Sequence, residues 1–189
     1  GTAAPASADP LGVSYTITGS AGDWTLDFSV TNNIVGAPNQ DFYFFGVLLP
    51  GGSITGTPPA FGVFSTVFNP SIDFGGSNTN YNDNWLGNVG GPAGFPGMTI
   101  SGFDVTLTSA SAPTSVQWFG FSEDTNFLPT YTGGGNFNTT GSQSFNAAVS
   151  PGFEGLAVGT PTQTASESST LGLLVAGLLA FAGLKKIFS

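Results

Sequence analysis

The stretch VSYTITGSAGDWTLDFSVTNN, from Val13 to Asn33, decides the fold. Val13, Tyr15 and Ile17 alternate with Ser14, Thr16 and Thr18, and after the break Leu26, Phe28 and Val30 alternate with Thr25, Asp27, Ser29 and Thr31. An apolar period of two is the signature of strands buried on one face and wetted on the other. Gly19-Ser20-Ala21-Gly22 is therefore predicted to be a hairpin connection, and Asn32-Asn33 to end the second strand with residues that tolerate turns. The local unit is an antiparallel pair.

Working outward, the texture repeats. FYFFGVLLP (Phe42–Pro50) is apolar at almost every position, which predicts a strand covered on both faces. A short strand follows at VFSTVF (Val63–Phe68), and then a Gly/Asn-rich excursion from Asn69 to Gly97, read as a long loop that Tyr81, Trp85 and Phe95 pin down. MTISGFDVTLTS (Met98–Ser109) and TSVQWFGFSE (Thr114–Glu123) are expected to pair as a hairpin across Ala110–Pro113. SQSFNAAVS (Ser142–Ser150) and FEGLAVG (Phe153–Gly159) close the series. Short strands with frequent turn punctuation, and no helical stretch before residue 168, predict an all-β antiparallel β-sandwich or jelly-roll-like domain. The expected layout is an N-terminal arm at 1–12, the β-domain at 13–159, a linker at 160–169 and a single C-terminal transmembrane helix at 170–188.

Charge divides the chain in the same place. All eleven carboxylates lie between Asp9 and Glu167, whereas Lys185 and Lys186 are the only basic side chains in 189 residues, giving a net charge of −9. Such a body repels nucleic acid, whose binding requires basic groups that release phosphate counterions. The absence of Cys and His removes disulfides, thiol nucleophiles, Ser-His-Asp triads and the usual ligands of zinc, copper and haem. The opening GTAAPASADP has neither a basic nor an apolar leader segment, as expected of an exported chain whose signal peptide has been removed.

The tail is the other decisive stretch. LGLLVAGLLAFAGL, Leu171 to Leu184, contains no polar side chain and ends on Lys185-Lys186. As a helix it spans about 21 Å, short of the roughly 30 Å of a hydrocarbon core. A run of that length is also compatible with a buried core helix or with the apolar region of a signal peptide. The helix has no polar face, the flanking Ser168–Thr170 are tolerated, and Ile187-Phe188 resume the apolar character beyond lysines that can snorkel to the interface, which favours a membrane anchor. Leu171, Leu173, Leu174, Val175, Leu178, Leu179, Phe181 and Leu184 are the lipid-facing candidates. The positive-inside rule places Lys185 and Lys186 in the cytoplasm and the acidic body outside, N-out and C-in. Gly172, Ala176, Ala180 and Gly183 form a stripe of small residues on one helix face, the kind of surface against which another membrane helix packs closely.

Ser166-Glu167-Ser168-Ser169-Thr170-Leu171, the Gly/Leu/Ala run and the basic end together resemble the C-terminal sorting tail of PEP-CTERM proteins. The resemblance covers Ser166 to Lys186 and, more loosely, the Gly/Asn/Phe-rich body. The family's Pro-Glu-Pro stands here as Ser166-Glu167-Ser168, so Glu167 and the following Ser169-Thr170 carry the match. The resemblance implies an exported protein of a bacterial envelope or biofilm, cut near that motif by a membrane protease. With both prolines replaced, the tail is read here as a docking helix that stays attached.

Chemistry in the body is sparse. Asp73, Asp83, Glu123 and Asp124 lie near expected loops, but no spacing singles out a glycosidase-like pair. Asn78, Asn80, Asn82, Asp83 and Asn84 cluster oxygen ligands, with a single carboxylate where calcium prefers several. Trp85, Trp118 and Tyr131 are candidates for an aromatic platform for sugars or for a protein partner, although Trp118 sits within an alternating strand and suits a core, and Trp85 suits a pin for its long loop. The expectation is a membrane-anchored, non-enzymatic structural or interaction protein without cofactor or metal, an accessory subunit of a larger membrane complex or envelope assembly. Its expected partners are lipid and other membrane helices; the alternative is a carbohydrate-binding or adhesive surface protein.

Overall fold

Twelve β-strands and no helix occur among the residues that the computed structural model describes, namely 8–34, 40–55, 64–68, 72–74, 79–87, 94–123, 131, 134–138 and 152–162. In chain order they are β1 (Leu11–Ser20), β2 (Asp23–Asn32), β3 (Asp41–Leu48), β4 (Gly52–Ile54), β5 (Phe64–Phe68) and β6 (Ile72–Phe74). Then come β7 (Thr79–Tyr81), β8 (Asp83–Gly87), β9 (Thr99–Leu107), β10 (Ser115–Glu123), β11 (Phe137–Asn138) and β12 (Gly152–Pro161). Hydrogen bonds join them in the order β4-β9-β2-β1-β12-β10-β3-β8-β5, with β11 beside β12 and β6-β7 as a separate pair.

Strand β12 is the seam of this path. Its first half pairs antiparallel with β10, from Gly120 beside Phe153 to Ser115 beside Val158, and its second half runs parallel to β1, from Tyr15 beside Gly159 to Ile17 beside Pro161. The path thereby doubles over into two layers that share β12 and face each other across an aromatic core. Phe28 of β2 and Phe103 of β9 meet Phe45 of β3 at ring-centroid distances of 6.0 and 5.0 Å, and Trp85 of β8 stacks on Phe45 at 5.6 Å and lies 5.3 Å from Phe103. All four rings are buried. With no disulfide available, this contact between the layers holds them together.

Two bulges fit the sequence to that core. Ile100, Phe103, Val105 and Leu107 all point inward, although strict alternation would turn Ile100 away from Phe103. The pairing of β2 with β9 slips between Phe28 and Ser29, leaving Gly102 unopposed. Gly102 takes a φ of 93°, which only glycine adopts cheaply, and its N–H donates to Asp27 Oδ1 at 2.9 Å. The β10–β3 register slips likewise between Phe121 and Ser122, so that Phe42 and Phe45 both reach the core. Phe44, between them, faces outward into a second buried cluster with Phe119, Phe121 and Tyr81. The expectation that Phe42–Pro50 is covered on both faces therefore holds.

The Val13–Asn33 hairpin is present, with ten residue pairs from Leu11–Asn32 to Ser20–Asp23, and with Gly19 and Gly22 at φ of 105° and 90°. Two other expectations are corrected. Strands β9 and β10 do not form a hairpin, because β9 pairs with β2 and β4 while β10 pairs with β12 and β3. Ala110–Pro113 is instead a crossover between layers, held where Ser109 O accepts from Gly22 N–H (2.7 Å) and Trp24 Nε1–H (3.1 Å), and Pro113 O from the Tyr15 hydroxyl (2.8 Å). Local alternation could not reveal this, since a hairpin and a crossover connect strands of the same period. The Asn69–Gly97 excursion also contains three strands, β6, β7 and β8. Ser142–Ser150 lies outside the described residues.

Candidate interaction surface

Glu167, the apolar residues of Leu171–Leu184, the Gly172/Ala176/Ala180/Gly183 stripe and Lys185-Lys186 lie outside the described residues. Among those described, no helix is long and apolar enough to cross a membrane.

The polar residues singled out in the sequence are built into the sandwich. Asn82 mimics a strand neighbour for Leu49: its Oδ1 accepts from Leu49 N–H and its Nδ2 donates to Leu49 O, both at 2.8 Å. The same Nδ2 donates to Asp83 Oδ2 at 2.8 Å. Asp83 is 1% exposed, its carboxyl lying against Gly52, where a Cβ would come within 2.6 Å of Oδ2. Burial pushes its pKa up to about 6, against the smaller opposing effect of the Asn82 hydrogen bond. Asn84 is buried too, donating from Nδ2 to Tyr81 O at 2.9 Å. Asn82, Asp83 and Asn84 thus serve the β3–β8 junction rather than an open loop, and among the described residues no group of three potential metal-ligating acids occurs.

Two further polar sites lie within the body, one a clamp and one a pair of like charges. Asn32, expected only as a turn residue, is fully buried, and its Nδ2 donates to Gln40 O (2.9 Å) and Gly94 O (2.7 Å) while its Oδ1 accepts from Ile34 N–H (3.1 Å). Three chain segments converge on one amide. Asp27 and Asp104 stand opposite each other on β2 and β9. Burial raises the Asp104 pKa first, and the facing Asp27 charge and hydrogen bond raise it further.

The two tryptophans proposed for a glycan platform are both buried in the core, so neither presents a ring to solvent. Each sits on the inner side of its strand, and its indole fills the space between the layers. Tyr131, the third, packs edge-on to Phe137 at 4.9 Å and against Phe153 at 5.2 Å. Of the three residues expected to pin the long excursion, Tyr81 lies over Phe119 at 4.4 Å and Trp85 is in the core, but Phe95 is 43% exposed and pins nothing.

The outer faces of the two layers differ sharply. The first presents hydroxyls: Ser29 Oγ donates to Ser101 Oγ and Thr31 faces Thr99, each at 2.8 Å, with Ser14, Thr16 and Thr18 exposed beside them. The second carries apolar side chains among Ser115, Gln117 and Glu154. Besides the buried Phe44/Phe119/Phe121 cluster, it exposes Leu156 (64%) and Val158 (68%) on β12, at positions paired with β10. The cause is legible in GLAVG, Gly155 to Gly159, where the small residues face inward and Leu156 and Val158 outward. A Cβ on Gly155 would come within 3.0 Å of the Trp118 ring, and one on Gly159 within 2.6 Å of Tyr15. Trp118 and Tyr15 occupy the inner side of β12, which sends Leu156 and Val158 to the surface. Sequence reasoning treated this segment only as a closing strand and missed the inversion. Laterally, Leu156 is beside Gln117, which in turn pairs with Leu48, and Val158 is beside Ser115.

No family model and no curated protein matches the chain. Among solved structures it is similar to an uncharacterized protein from Nocardia farcinica with an immunoglobulin-like fold, at 16% identity and a TM-score of 0.39, covering 65% of this chain and 88% of that one. It is also similar to the seventh ScaB type I cohesin from Pseudobacteroides cellulosolvens, at 8% identity and a TM-score of 0.28, covering 82% of this chain and 96% of that one. Both TM-scores are low, and the sandwich stands on its own strand order and register.

Proposed function

We propose that this protein is a non-enzymatic interaction subunit of a bacterial envelope, its acidic β-sandwich outside the inner membrane and its C-terminal helix a retained, single-pass anchor. The observation that carries this is the segregation of charge and hydropathy: eleven carboxylates before a fourteen-residue apolar run, and the only two lysines directly after it. That order matches a helix crossing once with its basic end in the cytoplasm. The small-residue face of the helix suits packing against another membrane helix, which also shelters a span shorter than the bilayer core. The body's polar groups serve its own folding, as Asn32, Asn82 and Asp83 illustrate, consistent with a scaffold that acts through its surface.

Deleting Leu171–Ser189 tests the reading in cells. The truncated body is expected in the soluble extracytoplasmic fraction, whereas the full chain resists alkaline carbonate extraction from membranes. Continued membrane association of the truncated body refutes the anchor.

A further inference from the structure

The outward side of β12 is unusual for so acidic a body. Leu156 and Val158 are large, apolar and well exposed, and their lateral neighbours Gln117, Ser115 and Leu48 carry no charge. Glu154 is the one carboxylate on the same side of that strand, level with Phe119 and toward its other end. Strand β12 is also the element from which the tail departs: Thr162 N–H still donates to Ile17 O at 3.0 Å, and eight residues, Gln163–Thr170, then lead to Leu171.

We infer that the Leu156/Val158 face of β12 is a docking surface for the extracytoplasmic flank of the same membrane protein whose helix receives the tail. This rests on the anchored-subunit reading above. Eight residues reach at most about 27 Å, so whatever holds the tail lies within about one linker length of the end of β12. Two exposed apolar side chains are far below the area of an independent interface. They suffice for a tethered one, because an eight-residue linker turns the second contact into an intramolecular event at millimolar effective concentration. The partner's complementary patch is apolar and uncharged, with donors and acceptors at its rim for Gln117 and Ser115.

The chain has no native cysteine, so an introduced thiol is the only one on it, and the wild-type chain carried through the same labelling measures adducts that arise from other membrane thiols. Val158→Cys and, separately, Ala180→Cys are labelled with a thiol-reactive photo-crosslinker in native membranes, and adducts are identified by mass spectrometry. The expected result is the same membrane protein trapped from both positions. Leu156→Thr combined with Val158→Thr, which preserves strand propensity, is expected to lower the fraction co-migrating with that protein in mild detergent about tenfold while the chain stays in the membrane. Trapping of a second copy, of the chain's own tail, of lipid alone or of nothing from Val158→Cys overturns the docking surface, as does unchanged co-migration of the double variant. A full chain found in the soluble fraction overturns the anchor reading itself, and this inference with it.

Discussion

Replacing Asp83 by asparagine converts a pH-dependent fold into a flatter one. The carboxyl is buried against Gly52, has one hydrogen bond from Asn82 Nδ2, and titrates at about 6 instead of 3.8. A carboxyl whose folded pKa is raised binds its proton more tightly folded than unfolded. Its contribution is therefore most favourable below pH 3.8, declines as pH rises through the window from 3.8 to about 6, and levels off above it. About two pKa units correspond to about 3 kcal/mol between the protonated and ionised limits. The amide introduced by Asp83→Asn mimics the protonated carboxyl in shape and in offering both a donor and an acceptor. Urea unfolding of the full chain in mild detergent, followed by the fluorescence of the buried Trp85 and Trp118, measures the effect. Wild type is expected to lose about 1.5 M in midpoint between pH 3.5 and pH 8 from this residue alone, for a slope of about 2 kcal/mol per molar. Asp83→Asn is expected to match wild type within about 1 kcal/mol at pH 3.5 and exceed it by about 2–3 kcal/mol at pH 8. A variant whose midpoint falls with pH as steeply as the wild type, or a wild type that gains stability from pH 4 to pH 7, refutes the assignment.

Asn32→Ala removes the three side-chain hydrogen bonds that join residues 34, 40 and 94, and takes from the buried Ile34 N–H its Asn32 acceptor. A loss of about 3 kcal/mol in urea unfolding is expected, and a loss below 1 kcal/mol contradicts the clamp. Gly46→Ala places a methyl group 2.2 Å from the Phe119 ring and 2.3 Å from Asn84 Oδ1, and overpacking is expected to cost about 2 kcal/mol; an unchanged midpoint means that the outer cluster is loosely packed. Asp104→Asn relieves the facing Asp27 and is expected to stabilise the fold by about 0.5 kcal/mol at pH 7 and by nothing below pH 3, so equal effects at both pH values rule out charge repulsion as the cause.

The sequence by itself determined the β class, because period-two alternation from Val13 to Asn33 has one backbone conformation that buries it. It likewise determined the two-sided burial of Phe42–Leu49 and the division into an acidic body and an apolar, basic-ended tail. Those properties are written in residues close to one another. What only the tertiary structure decided depends on partners far apart in the chain. Alternation cannot say which strand lies across a core, so β9 and β10 look like a hairpin in sequence although they pair with β2 and β3. Bulges at Gly102 and beside Phe121 reset the period and hid part of the inward row. Asn32 and Asp83 read as turn and loop residues, because nothing local marks a side chain that the rest of the chain will bury. Leu156 and Val158 came to the surface for a similar reason: the space inside β12 is taken by Trp118 and Tyr15, residues nearly forty and more than one hundred and forty positions away. Local periodicity chooses the conformation of a strand, but competition for volume between distant side chains chooses which of its faces is inside.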